Sequence, residues 1–338
     1  MIIVMSHVAT RAQVDAVAAR VREIGLRPEV SVGEDRSLIG VIGGNAYAYR
    51  EAFSHLAGIQ EILQITKPFK LASREFQARD TVVDVAGVPI GGEEVVIMAG
   101  PCSVEDEAML LQTARFVADR GARILRGGAF KPRTSPYSFQ GLGEAGLKML
   151  AAAREETDLR VVSEVVTPAD VDLVCRYVDM LQVGTRNMQN YALLQEVGRS
   201  GKPVLLKRGM SSTVEEWLLA AEYVLSQGNR GVVLCERGIR TFETSTRFTL
   251  DLNSVPLVRE LSHLPVVVDP SQGTGRWSLV RPMSLAAVAA GAQGLIVEVH
   301  PKPGEALSDG AQSVDFDAFD RLVRELRRLL EAISGQPV

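Results

Sequence analysis

Glu94-Val95-Val96-Ile97-Met98-Ala99-Gly100-Pro101-Cys102-Ser103 decides how the larger part of this 338-residue chain folds. Its apolar residues run without alternation and then give way to glycine, proline and small polar residues. That is the pattern of a strand buried on both faces and ending in a loop. The same unit recurs at Ala122–Leu125, Arg160–Ser163, Met180–Val183, Pro203–Leu206, Gly231–Leu234, Pro265–Val268 and Gly294–Val297. Helical periodicity fills the intervals near 105–120, 143–156, 168–178, 189–198, 213–227, 251–262 and 282–290, and a closing helix is predicted near 317–333. Eight βα units in about 245 residues have the size and rhythm of a (β/α)8 TIM barrel spanning 94–338. An open doubly wound sheet is the alternative, but no G-x-G-x-x-G follows the first strand.

Upstream, residues 1–66 read as β-α-β-β-α-β, the ferredoxin-like order. Ile2–Met5 is a short strand, and Thr10 is placed to cap a helix from about Ala12 to Ile24. Strands follow near Pro28–Val32 and Ser37–Ile42 around a Gly33-Glu34-Asp35 turn. A second helix near Tyr47–Leu56 and a strand at Glu61–Ile65 complete it. Residues 67–93 read as a linker and a hairpin around Val82–Pro89, leading into the barrel.

Composition narrows the function classes. The chain is 46% hydrophobic and 23% charged with a net charge of −4, so no global basic character points to nucleic acid or an anionic membrane. Its three cysteines are too few and too scattered for a disulfide framework. No apolar run approaches a membrane span and the N-terminus lacks a basic leader, so a cytoplasmic location is expected.

In such barrels the chemistry sits at the C-terminal ends of the strands. There the sequence places Arg126, then Lys131 and Arg133-Thr134 in a glycine-rich loop, Glu164, Arg186, Lys207-Arg208, Arg237, Asp269 and Arg276. Loops are ordinarily polar, yet a set of arginines and lysines on one rim of an acidic protein repels itself unless an anion neutralises it. Arginine forks suit carboxylate and phosphate oxygens, and the glycines allow close backbone approach. Cys102, Glu298 and Asp309, with Gln272 or Asp269 nearby, form a second constellation with donors for a divalent metal, although their scattered spacing carries little weight. Cys175 and Cys235 read as packing residues and His263 as structural, whereas His300, just past the eighth strand, is placed for hydrogen bonding or proton transfer.

Longer stretches carry a resemblance. Residues 99–105 (AGPCSVE), 125–137 (LRGGAFKPRTSPY), 205–209 (LLKRG), 234–238 (LCERG), 297–301 (VEVHP) and 306–310 (ALSDG) resemble the 3-deoxy-7-phosphoheptulonate synthase family, in its branch with an N-terminal ferredoxin-like domain. The resemblance covers essentially the whole chain. It implies condensation of phosphoenolpyruvate with erythrose 4-phosphate, the first step of the shikimate pathway. Arg126, Lys131, Lys207, Arg186 and Arg237 would then clamp phosphoenolpyruvate, Arg133 and Thr134 would take the aldose phosphate, and Glu164 would organise the attacking water. The sibling octulosonate 8-phosphate synthase carries asparagine before the arginine of the equivalent loop, where this chain has Lys131-Pro132-Arg133, which favours erythrose 4-phosphate over arabinose 5-phosphate. The resemblance also implies an aromatic amino acid effector, tyrosine or phenylalanine, acting through the N-terminal domain, and a homo-oligomer, a tetramer by analogy.

One position departs from the pattern. The family's metal is held by cysteine, histidine, glutamate and aspartate, the histidine in an Asp-Pro-Ser-His run, and here the run is Asp269-Pro270-Ser271-Gln272. Cys102, Glu298 and Asp309 remain, but an amide oxygen is a weaker donor than imidazole for Mn²⁺ or Mg²⁺. Three readings stay open at this level. A metal is bound with Gln272 or water as fourth ligand, Lys131 polarises the aldehyde without metal, or the chain binds phosphoenolpyruvate without turning it over.

Overall fold

The structure is a computed structural model describing residues 1–33, 36–43, 45–64, 68–133 and 135–334. Chain contacts group these residues into two units, one from Met1 to Arg79 and one from Asp80 onward.

The first unit comprises β1 (Ile2–Met5), α1 (Arg11–Glu23), β2 (Arg27–Val32), β3 (Ser37–Ile42), a 3-10 segment (Ala46–Phe53) and β4 (Ile59–Leu63). Its antiparallel sheet has the order β2-β3-β1-β4. Thr10 opens α1 through a reciprocal capping box with Gln13. The helix then presents Val14, Val17 and Val21 to Ile3, Met5, Ile39 and Val41 of the sheet. The expected second helix winds as a 3-10 segment beginning one residue before Tyr47. Asn45, in the left-handed region, provides no side-chain cap for it, and eight uncapped residues are too few to hold an α-helix by themselves. The Glu34-Asp35 part of the predicted turn lies outside the described residues.

In the second unit a hairpin, β5 (Val83–Val85) and β6 (Val88–Ile90), precedes eight parallel strands. These are β7 (Val96–Gly100), β8 (Ile124–Arg126), β9 (Arg160–Val165), β10 (Met180–Val183), β11 (Val204–Lys207), β12 (Val232–Glu236), β13 (Val266–Val268) and β14 (Gly294–Glu298). Neighbouring strands pair in sequence order, and β14 closes on β7 from Gly294↔Val96 to Glu298↔Gly100. The intervening helices are α2 (Glu107–Asp119), α3 (Glu144–Thr157), α4 (Val171–Cys175), α5 (Tyr191–Arg199), α6 (Val214–Leu225), α7 (Ser254–Leu261), α8 (Pro270–Thr274) and α9 (Trp277–Ala289), with α10 (Phe316–Ser334) last. Val83, Val85, Val88 and Ile90 pack with Val96, Ile124, Met180, Val233 and Val267 at the strand starts. The hairpin therefore stoppers that end of the barrel, leaving the strand C-termini for function. Among the described residues no helix is long and apolar enough to cross a membrane.

Candidate active site

A cavity of about 470 Å³ opens at the C-terminal ends of the barrel strands. Lys131, Arg133, Arg186, Lys207 and Arg237 line it, together with Glu164 and Gln272. The convergence expected of these side chains is present. Lys207, the last residue of β11, points inward and is 1% exposed, with its Nζ 2.5 Å from Asp269 Oδ2. Asp269 is fixed in turn, because its other oxygen accepts from the Gln272 backbone N–H at 2.8 Å and caps α8. Arg126 ends β8 one layer deeper, where Nη1 donates to Glu298 Oε1 at 3.1 Å and to the Pro101 carbonyl at 3.2 Å.

Two glycines make room for the reacting groups. A Cβ at Gly128 would meet Lys131 Cδ at 2.7 Å and the Cys102 carbonyl oxygen at 2.8 Å, so only glycine lets the lysine fold back into the mouth. At Gly184 a Cβ would collide with the Glu164 carboxylate, which accepts from Gln182 Nε2 at 3.3 Å. Burial raises the Glu164 pKa despite the opposing fields of Lys131 and Lys207. Burial works against charge on Lys131, yet the Cys102 sulfur, Glu164 and Glu298 outweigh it and raise the ammonium's pKa.

Cys102, Glu298 and Asp309 bring their donor atoms within 4.8 Å of one another. Cys102 Sγ donates to Asp309 Oδ2 at 3.2 Å and accepts from Lys131 Nζ at 3.0 Å. Burial, then the Glu298 charge, pushes the thiol up to about 11. Asp309 is held below the usual carboxylate range; burial opposes this, but Arg247, the Cys102 hydrogen bond and Lys131 prevail. One sulfur and two carboxylates converging in a buried wall fit a divalent transition ion, whose charge would displace the thiol proton.

Three positions singled out from the sequence lie elsewhere. Arg208 turns away from the mouth, donating to Glu236 Oε2 at 2.9 Å and Asp251 Oδ2 at 2.8 Å. Arg276 is exposed, does not line the cavity, and sits at the N-cap of α9. His300 is buried outside the cavity lining, where Nδ1 accepts from the Lys302 N–H at 3.0 Å and Nε2 lies 3.6 Å from Glu105. Its ring braces the loop that carries Asp309 instead of facing a substrate. Thr134 lies outside the described residues. His263 is structural, hydrogen-bonded through Nδ1 to Thr81 Oγ1 at 2.7 Å, and Cys235 packs in the barrel interior.

The sequence reading missed Arg240 and Arg247, which also line the cavity, and Phe248, whose ring lies 4.0 Å from the Arg237 guanidinium. All three sit in the long segment between β12 and α7, which has no strand periodicity to fix their direction. Gln312, beyond β14, was missed too; its Nε2 donates to Glu298 Oε2 at 2.6 Å.

Comparison with known proteins agrees with this geometry. Residues 60–333 match the DAHP synthetase I family, and residues 1–67 match the DAHP synthase ferredoxin-like domain. Phospho-2-dehydro-3-deoxyheptonate aldolase of Thermotoga maritima is 49% identical over 334 residues, 99% of either chain. The crystal structure of the Thermotoga maritima enzyme covers 98% of this chain and 97% of its own with a TM-score of 0.79 at 48% identity. A truncated form of the Thermotoga maritima synthase covers 78% of this chain and 97% of its own, at a TM-score of 0.74 and 50% identity. The 2-dehydro-3-deoxyphosphooctonate aldolase of Syntrophotalea carbinolica is 34% identical, over 74% of this chain and 96% of its own. With both parts of the sequence matched and the barrel mouth built as described, the chain belongs to the DAHP synthetase I family.

Proposed function

We propose that this chain is a carbon–carbon-bond-forming transferase that condenses phosphoenolpyruvate with erythrose 4-phosphate. The products are 3-deoxy-D-arabino-heptulosonate 7-phosphate and inorganic phosphate, at the entry to the shikimate pathway. The observation that carries the reading is a charge balance. Among the described residues eight cations face or directly back the cavity, against the four carboxylates Glu164, Asp269, Glu298 and Asp309, leaving an excess of four. One carboxylate and two phosphate monoesters together bring roughly four to five negative charges. The site is thus matched to both substrates at once, which a single phosphate ester would not require.

On this reading Arg126, Lys131, Arg186, Lys207 and Arg237 hold phosphoenolpyruvate, and Arg133 with Thr134 takes the aldose phosphate. Fixing the two anions side by side removes most of the entropy cost of bringing them together and offsets their repulsion. Glu164, whose raised pKa makes it a better proton acceptor, takes a proton from the water that adds to C2 of the enol ester as C3 attacks the aldehyde. The aldehyde oxygen takes up a proton in exchange for the one lost to Glu164, and the hemiketal at C2 then gives up its hydroxyl proton as its C–O bond to phosphate breaks, releasing inorganic phosphate and the keto acid. Cys102, Glu298 and Asp309 would hold a divalent ion such as Mn²⁺, whose chemistry when bound is to polarise the aldehyde oxygen. The 1–67 segment matches the DAHP synthase ferredoxin-like domain; on this reading it is a regulatory part that takes tyrosine or phenylalanine as effector, and the enzyme is a cytoplasmic homo-oligomer.

Phosphate release from phosphoenolpyruvate plus erythrose 4-phosphate, measured with Mn²⁺, Co²⁺, Zn²⁺ and Mg²⁺ in turn, tests the reading. Turnover with erythrose 4-phosphate well above that with arabinose 5-phosphate is expected. Silence across all four metals would reject it.

A further inference from the structure

Gln272 belongs to a polar chain that is nearly symmetric about Glu298. Its Oε1 accepts from Arg237 Nη2 at 3.4 Å, and its Nε2 donates to Glu298 Oε1 at 3.3 Å. Gln312 repeats the arrangement on the other side. Its Oε1 accepts from Arg247 Nη1 at 2.8 Å, and its Nε2 donates to Glu298 Oε2 at 2.6 Å. Each carboxylate oxygen takes one glutamine, and each glutamine takes one guanidinium. Both guanidiniums lie beside Phe248, at 4.0 and 5.6 Å from the ring centre. Charge at both ends fixes which way each amide points, because rotating it would set NH₂ against guanidinium and oxygen against carboxylate.

We infer that Gln272 is a positioning residue for Arg237 and Glu298 and not a metal ligand, so that the divalent-ion site has three protein donors and a position left to water or substrate. The inference rests on the proposed reading of the cavity. It follows from the way the amide is turned: Gln272 presents to Glu298 of the cluster its Nε2, which has no lone pair to give an ion, and directs its oxygen to Arg237 instead. The cluster of Cys102, Glu298 and Asp309 is then an open site of the kind used for catalysis and not a closed structural one.

The test uses the full chain with Co²⁺ alone, titrated by calorimetry and by absorption, in Gln272→Ala, Gln312→Ala and Gln272→His. Both alanine variants remove one hydrogen bond to Glu298. Each should weaken Co²⁺ by roughly tenfold, the range expected of an outer partner, with Gln272→Ala no worse than Gln312→Ala because its bond is the longer one. The thiolate-to-cobalt charge-transfer band and the d–d envelope should stay as in the parent. Gln272→His should tighten Co²⁺ about tenfold or more and alter the d–d envelope as imidazole enters the open position. With Mn²⁺ present, Gln272→Ala should raise KM for phosphoenolpyruvate roughly tenfold with a smaller change in kcat, because Arg237 loses its guide. A changed cobalt envelope in Gln272→Ala, or a loss of affinity far beyond that of Gln312→Ala, would make the amide a ligand and overturn the inference. A parent with no thiolate–cobalt band would overturn the three-donor site. The cobalt titrations contain no substrate, so they decide the ligand question whether or not the proposed reaction is found.

Discussion

Replacing Lys207 by methionine should destabilise the barrel and abolish phosphoenolpyruvate binding, and the two losses should be separable. The ammonium and the Asp269 carboxylate are each 1% exposed and 2.5 Å apart, so removing the cation strands a buried anion. Breaking a buried pair in this way costs about 3–5 kcal/mol. Arg126 and Arg237 also act on Asp269, which places the cost near the lower end, about 3 kcal/mol. In a barrel of this size each kcal/mol moves Tm by roughly 2–4 °C, so scanning calorimetry should record a fall of roughly 6–12 °C. Adding Asp269→Asn removes the stranded charge while an asparagine still caps α8, and most of the lost Tm should return. Phosphoenolpyruvate affinity, titrated calorimetrically, should remain lost in the double variant. If Lys207→Met kept both its Tm and its affinity, or if the double variant recovered binding, the account of this lysine as an anion-holding group poised on a buried carboxylate would be wrong.

Arg208→Ala should cost about 3–5 kcal/mol in urea unfolding, since Glu236 loses its partner, yet leave phosphoenolpyruvate affinity unchanged; weakened affinity would put Arg208 back in the site. Gly184→Ala should reduce kcat for phosphate release sharply at a stability cost of only about 1–3 kcal/mol, because its ordinary φ of −72° admits alanine and only the Glu164 carboxylate is displaced. Cys235, whose thiol is pushed from 9.0 up to about 12 by burial, contributes nothing below pH 9, where both folded and unfolded chains are protonated. Above that the unfolded thiol ionises first, so stability should fall by roughly 1.4 kcal/mol per pH unit, reaching about 4 kcal/mol near pH 12. Unfolding followed from pH 8 to 11 should show a shallower decline in Cys235→Ala, and an identical slope would refute the assignment.

The barrel was legible because short, mainly apolar runs recur between helical stretches, and the pattern survives the polar residues inside β9 (Ser163, Glu164) and β10 (Gln182). The basic mouth was legible for the same reason, but only in part. Lys207 and Arg208 are consecutive, and side chains along a strand alternate between its two faces. If Lys207 enters the mouth, Arg208 must leave it, and period two applied within the motif would have excluded it. No such rule was available for Arg240, Arg247 and Phe248, which lie in a segment without repeating pattern. His300 misled because it lies two residues past Glu298, the last residue of β14, whereas the backbone bridge between Val299 and Val314 is followed by a ring that lies beside Glu105. Gln272 was recognised as a departure, but which way its amide faces depends on Arg237 and Glu298, contributed by two other strands.

The arrangement of charge also explains how so many cations coexist at one mouth. The deepest ones are matched before any substrate arrives: Arg126 by Glu298 and Lys207 by Asp269, with each pair nearly excluded from water. Arg186, Arg240 and Arg247 are more exposed, so their mutual repulsion is moderated by solvent. A buried pair at low dielectric holds direction, whereas an exposed guanidinium mainly contributes field. The inner residues are therefore suited to orienting the reacting enol ester, and the outer ones to drawing in and retaining the second phosphate. Arg237 lies between the two layers. It is 3% exposed and depressed in pKa by burial, with Phe248 against its guanidinium and Gln272 as its link to the inner carboxylate. Its charge persists at neutral pH because arginine starts from so high a value. An aromatic face and a relayed carboxylate hold that charge in place without cancelling it, which is the condition a group must meet to bind an anion and still be stable without one.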